Sequence, residues 1–164
     1  MMLSSFRDVT PALLHSLGRR LLICDIDNTL VTYDDPRPTP ELLEWFDAMK
    51  SEGITVAFAS NNHEERVTEF NKELGFIARF DAGKPKTRAL FDVMREADVR
   101  AEESALLGDQ LLTDACAANR AGIYSIIVPP IKDKTNLFFK SKRLIERPYV
   151  AKYKKLCKKT EIEK

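Results

Sequence analysis

The chain has few of the residues that build disulfide frameworks or soft-metal centres, with three cysteines and two histidines among 164 residues. Cys24, Cys116 and Cys157 are odd in number and share no redox or zinc spacing, which suits a reducing cytoplasm. Without a His/Cys cluster, the residue types speak against zinc. No apolar run approaches the ~20 residues that a membrane-crossing helix needs. The first twenty residues hold only the short apolar patch Ala12-Leu13-Leu14, so a secretory signal is not expected. A P-loop and a dinucleotide glycine fingerprint are both missing, which removes kinases and nicotinamide enzymes. There is no internal repeat, and the only biased segment is a lysine-rich end.

What remains is a globular composition, 44% hydrophobic and 31% charged, at a length that one hydrophobic core can serve. The net charge of +1 conceals an asymmetry. Residues 131–164 carry 12 Lys or Arg against 4 Asp or Glu, whereas residues 1–130 carry 14 against 21. We therefore expect one domain over 1–130, with its core about 20–130, and a basic, helical extension of the same domain over 131–164.

Helical and strand patterns alternate along the chain. A helix near Thr10–Leu17 opens with a threonine cap and Pro11 at its first position. Leu21–Cys24 reads as a buried strand, Glu41–Ser51 as a helix, and Ile54–Ala59 as a second strand. A helix over Glu64–Leu74 and a strand over Phe76–Phe80 follow, then a helix over Lys86–Glu96 and a strand over Ser104–Gly108. Asp114–Ala121 and Ile123–Val128 complete the series. Five such alternations predict a doubly wound, Rossmann-like α/β fold, a five-stranded parallel sheet with helices on both faces.

The chemistry-bearing residues fall at or just past the carboxyl ends of these strands, where open α/β sheets bind ligands. Asp25 and Asp27 end the first strand, Ser60 and Asn61 follow the second, Lys84 lies beyond the third, and Asp109 ends the fourth. Two unpaired carboxylates one residue apart need a cation, a shared proton or a substrate. Each signal alone has a plain structural alternative: Ser60 a helix cap, Lys84 a loop lysine, Asp114 a cap of its own helix. Their joint occurrence in order is harder to dismiss. His63 either borders the pocket or sits exposed at a helix start, and His15 and Trp45 read as packing residues.

Together these residues resemble the haloacid dehalogenase (HAD) superfamily. The matching runs are Asp25-Ile26-Asp27-Asn28-Thr29, Ser60, Lys84, and Gly108-Asp109 with Asp114. Ser60-Asn61-Asn62, Lys84-Pro85 and Gly108-Asp109-Gln110-Leu111-Leu112-Thr113-Asp114 look like the YqeG-type phosphatases of subclass IIIA, a group related to phosphatidylglycerophosphate phosphatases. The resemblance implies a phosphomonoester hydrolase in which Asp25 forms an aspartyl phosphate and Asp27 is the general acid and base, a role that suits a raised pKa. It implies Mg²⁺ held by the Asp25 carboxylate, the Asp27 backbone carbonyl and Asp109, a phosphoryl group held by Ser60, Asn61 and Lys84, and supporting places for Thr29 and Asp114. Asp114 would hold a water on the metal or orient Lys84.

The gaps between Thr29 and Ser60 and between Ser60 and Lys84 leave no room for a cap domain. A capless site, covered at most by the Leu30–Pro40 loop or another subunit, suits a phosphate presented on something large. The candidate substrate is phosphatidylglycerophosphate or a similar lipid phosphate, with a cytoplasmic protein peripheral to an anionic membrane and self-association open. The basic end, with Leu137, Phe138, Phe139, Tyr149 and Tyr153 among its cations, could rest on such a bilayer, cover the sheet or a partner subunit, or be a solvated helix. It carries no nucleic-acid motif. The alternatives are a phosphatase of soluble nucleotide or sugar phosphates, a phosphoryl-responsive receiver-like domain, in which the order of acids and lysine would differ, and a HAD scaffold used for partner binding.

Overall fold

The computed structural model describes residues 1–132. Five strands, β1 (Leu21–Cys24), β2 (Thr55–Ala59), β3 (Ile77–Arg79), β4 (Ser104–Gly108) and β5 (Tyr124–Ile127), alternate with five helices. The helices are α1 (Pro11–Ser16), α2 (Pro40–Ser51), α3 (Glu64–Asn71), α4 (Arg88–Glu96) and α5 (Cys116–Ala121). The strands form one parallel sheet in the order β3-β2-β1-β4-β5.

Successive side chains on a strand point to opposite faces, and β1 is fully buried because both faces are covered. Leu22 and Cys24 join Val56, Phe58 and Leu107 under α1, α2 and α3, which contribute Leu14, Leu42, Phe46, Met49, Val67 and Phe70. Leu21 and Ile23 join Ala57, Ala59 and Leu106 on the other face, under Leu90, Val93 and Met94 of α4 and Ala117, Ala118 and Ala121 of α5. The small residues of α5 let that helix lie close to the sheet. Phe58 is the aromatic hub of the first face, 5.8 Å from Phe46 and 5.4 Å from Phe70 between ring centroids. Truncating such a ring to alanine costs about 3–5 kcal/mol.

The chain winds outward from β1 through β2 to β3, then crosses back to β4 on the other side of β1. That reversal opens a crevice at the carboxyl ends of β1 and β4, the usual ligand position of such sheets. The described residues contain no cap domain, since Thr29 to Ser60 and Ser60 to Lys84 each hold one helix and one strand. None of the described helices is long and apolar enough to cross a membrane. The extension expected over 131–164 lies, beyond Lys132, outside the described residues.

The local differences from expectation have identifiable causes. α3 stops at Asn71, short of Leu74, because the Asn71 side chain turns back and bonds both backbone groups of Phe76, at 3.0 and 2.7 Å. The helix expected from Asp114 is preceded by a wide π turn, Leu111–Ala115, in which the Ala115 N–H reaches the Gln110 carbonyl five residues back. Asp114 therefore lies inside the turn rather than at a helix cap. His15 is exposed, bonded to the Glu52 carbonyl, and is not a packing residue. Trp45 does pack, against Phe6, with its Nε1–H on the Val9 carbonyl.

Candidate active site

β1 delivers Asp25 to the crevice. The Asp25 N–H continues the ladder onto Leu107 O at 2.8 Å, and Ile26 plunges into the core, so the acids on either side of it face the sheet's end. The chain then turns sharply at Asn28, which adopts φ +68°, a left-handed conformation that asparagine tolerates. The Asn28 side chain grips the backbone of Lys132 from both sides, donating to its carbonyl at 2.8 Å and accepting from its N–H at 3.0 Å. Thr29, 1% exposed, has a buried hydroxyl with no hydrogen-bond partner among the described residues.

Lys84 reaches the same point from beyond β3. Its Nζ lies 2.8 Å from Asp25 Oδ1 and 2.7 Å from Asp114 Oδ1, and all three residues are buried. Its backbone is fixed by Asn61, whose amide donates to Lys84 O at 3.0 Å and accepts from Lys84 N at 2.8 Å. The ends of β2 and β3 are thereby locked together through the asparagine. Ser60, 1% exposed, accepts from the Asn62 N–H at 3.1 Å. Asp109 emerges half-buried from β4, and oxygens of Asp25, Asp109 and Asp114 all lie within 4.8 Å of one another.

Three carboxylates and one ammonium leave an excess negative charge in a poorly solvated place. Burial, and next the charges of Asp25 and Asp114, push the Asp109 carboxyl up to about 8. Burial also raises Asp25, an effect that Lys84 opposes and Asp114 reinforces. Burial disfavours the Lys84 ammonium, but Asp114 and Asp25 outweigh it and hold the lysine above its ordinary value. Tyr33, half-buried on the loop after β1, is raised first by burial and then by the negative charge of Asp109, Asp25, Asp27 and Asp114. Its phenol thus belongs to the surroundings of the acids.

These features match a recognisable group of proteins. A family model described as haloacid dehalogenase-like hydrolase matches residues 7–122. The chain belongs to that family. The probable phosphatase YqeG of Bacillus subtilis is 37% identical over 147 residues, covering 90% of this chain and 86% of the relative. A phosphoglycolate phosphatase of Agrobacterium fabrum is 29% identical over 101 residues, 56% of this chain and 43% of that protein. Among solved structures, an uncharacterized protein from Listeria monocytogenes serotype 4b superposes with TM-score 0.56 at 19% identity, covering 71% of this chain and 84% of that one. CbbY from Rhodobacter sphaeroides superposes with TM-score 0.53 at 15% identity, covering 73% and 90%. As a HAD-family phosphatase, the protein is a phosphoric monoester hydrolase.

The cations that two carboxylates one residue apart call for are both present. Asp25 has Lys84, while Asp27 has its own cation on the other side: Arg66 of α3 places Nε 3.1 Å and Nη2 2.9 Å from Asp27 Oδ1. Asn62 donates to Asp27 Oδ2 at 2.9 Å. Arg66, Asn62 and Tyr33 were not among the expected site residues of this HAD-like chain. Asn62 closes the Ser60-Asn61-Asn62 run, the signal available for it, whereas Arg66 stands on α3 among other charged residues and had none. Tyr33 lies in an irregular loop, where no periodicity points to it. His63 sits outside the site, exposed and 2.9 Å from Asp81.

Proposed function

We propose that this HAD phosphatase uses Mg²⁺ and works through an aspartyl phosphate on Asp25. The donor set fits a hard divalent cation: only oxygens converge, and three carboxylates exceed the one lysine that faces them. The raised Asp109 carboxyl reports the same charge imbalance, which a dication would relieve. The Asp25 and Asp109 carboxylates and the Asp27 backbone carbonyl would hold the ion, with Asp114 kept for Lys84. When bound, the ion supplies positive charge that lets a carboxylate and a phosphate dianion approach each other.

In this reading an Asp25 carboxylate oxygen attacks phosphorus in line, and the bond from phosphorus to the leaving oxygen breaks. Asp27 gives that oxygen its proton. Water then attacks the phosphoryl group, Asp27 takes the water's proton, and the bond to Asp25 breaks to release inorganic phosphate. The Ser60 hydroxyl, the Asn61 backbone N–H and the Lys84 ammonium would bind the phosphoryl oxygens. Loss of one such preorganised donor costs about 2.7–4 kcal/mol of transition-state stabilisation. The observation that carries the proposal is Lys84 Nζ held between Asp25 and Asp114, with Asp109 within reach of both acids.

The substrate we favour is phosphatidylglycerophosphate or a similar lipid phosphate, which would bring the protein to an anionic membrane surface. Three features support it: the YqeG-type resemblance, the lack of a cap among the described residues, and the basic sequence beyond residue 130. The test is hydrolysis of a panel of phospholipid, nucleotide and sugar phosphates with and without Mg²⁺, with Asp25→Asn as the blank. Magnesium-dependent turnover of the lipid phosphate above the others is expected. Turnover confined to soluble phosphates would remove the lipid assignment.

A further inference from the structure

The charges around the two aspartates of the first motif are sorted: Lys84 serves Asp25 and Arg66 serves Asp27. We propose that Arg66 is the positioning residue for Asp27, a buried planar cation that fixes the direction in which this carboxyl group faces a leaving group. The proposal rests on the phosphatase reading above, but it stands on its own geometry.

Arg66 Nε donates to Asp27 Oδ1 at 3.1 Å, with Nη2 at ion-pair distance, 2.9 Å, from the same oxygen but making no hydrogen bond among the described residues, while the Asn62 amide donates to Oδ2 at 2.9 Å. One hydrogen bond to each oxygen, from Arg66 and from Asn62, fixes the plane of a carboxylate whose own terminal torsion is broad. Without them, rotation about that torsion would leave the carboxyl group free to turn away from the crevice. The grip is sheltered, the Arg66 side chain being 16% exposed and that of Asp27 5%. Water therefore competes weakly for either partner.

Arg66 is itself anchored. Its Cζ lies 5.5 Å from the centroid of the Phe70 ring one turn further along α3, and its Nη1 donates to the Pro36 carbonyl at 3.0 Å. The same planar group thus joins three parts of the chain: α3, the Asp27 carboxylate and the loop that carries Tyr33. A lysine could supply the charge at this position but not a rigid planar group that bonds Asp27 through Nε and Pro36 through Nη1. That difference separates positioning from simple charge neutralisation.

The experiment compares wild type, Arg66→Ala, Arg66→Lys and Asp27→Asn by single-turnover release of the leaving alcohol, in excess Mg²⁺. Two esters are used: an alkyl phosphate, whose leaving oxygen must be protonated, and 2,4-dinitrophenyl phosphate, whose leaving oxygen need not be. Both Arg66 variants should lose about 10- to 100-fold on the alkyl ester, the scale of a 1 Å misplacement. Their KM should stay unchanged and their loss on the dinitrophenyl ester should be small, and Arg66→Ala should cost nothing further in the Asp27→Asn background. Equal losses on both esters, a loss carried by KM alone, full activity of Arg66→Lys, or a multiplicative loss on Asp27→Asn would each overturn the proposal. A crystal structure of Arg66→Lys supplies a readout independent of activity, with a turned Asp27 carboxylate expected and an unmoved one refuting. Wild type inactive on both esters would count against the phosphatase reading, and the position of Asp27 in that crystal would still decide the role of Arg66. If Arg66→Ala does not fold, Arg66→Lys carries the whole comparison.

Discussion

An alanine at position 108 would place its Cβ 2.3 Å from Asp114 Cγ, 2.5 Å from Asp114 Cβ and 2.6 Å from Asp114 Oδ2. Carbon atoms in contact rest about 3.5–4.0 Å apart, so an overlap of roughly 1.2 Å or more has to be relieved. β4 cannot yield easily, since it is hydrogen-bonded to β1 and β5 on both sides. Asp114 must therefore retreat, and with it goes the 2.7 Å contact to Lys84 Nζ. Overpacking alone costs about 1–3 kcal/mol. Breaking one side of a buried ion pair costs about 3–5 kcal/mol, of which Lys84 recovers part because Asp25 still faces it. We expect Gly108→Ala to lose about 3–4 kcal/mol in urea unfolding and to lower turnover by about 100-fold, the scale of a 1 Å displacement of catalytic groups. Gly122→Ala is the control: position 122 has φ +70° and an alanine Cβ there would meet nothing within 4 Å, so only about 1–2 kcal/mol of backbone strain should appear, with turnover unchanged. Equal losses for the two variants, or full turnover in Gly108→Ala, would show that Asp114 is not held in place by the missing side chain.

Further outcomes follow from the charge cluster. Lys84→Met should leave Asp25 and Asp114 facing each other without a cation and cost about 3–5 kcal/mol by urea unfolding in EDTA. Asp25→Asn should abolish turnover and any acid-stable phosphoenzyme label, yet keep the metal-free melting temperature at or above wild type, because it removes one member of a mutually repelling set. The Asp109 carboxyl lies at about 8 in the fold against 3.8 as its ordinary value. The metal-free fold therefore binds more protons than the unfolded chain between those values, so its melting temperature in EDTA should fall as pH rises from about 4 to 8. A cation needs the deprotonated carboxylates, so the increment in melting temperature on adding Mg²⁺ should grow over the same interval. A flat increment would contradict the assigned ligands.

Much of this fold can be read in the chain itself. Four buried residues followed by Asp25-Ile26-Asp27 mark β1 and its carboxyl end, and the recurrence of apolar strands before Ser60 and Asp109 gives the parallel sheet. Bounds shift only where a side chain takes over the backbone, as Asn71 does beyond α3. In the site, Asp25, Lys84, Asp109 and Asp114 come together from three separate segments, and their order along the chain was enough to nominate them. Arg66 was not legible for a physical reason. Solvated helices carry many arginines, and only the bend of the 32–39 loop toward α3 brings this one between Asp27 and Pro36.

The wide turn at Leu111–Ala115 inserts one more residue per turn than an α-helix holds. Each helical residue advances about 100° around the axis, so shortening this segment by a single amino acid would swing the Asp114 side chain off Lys84 while α5 and its alanine face kept their place on the sheet. Phase along the helix, rather than distance along the chain, decides whether the lysine has a second carboxylate. A loop graft between relatives that preserves every motif letter but alters the count between Gln110 and Cys116 should therefore give a folded, inert protein.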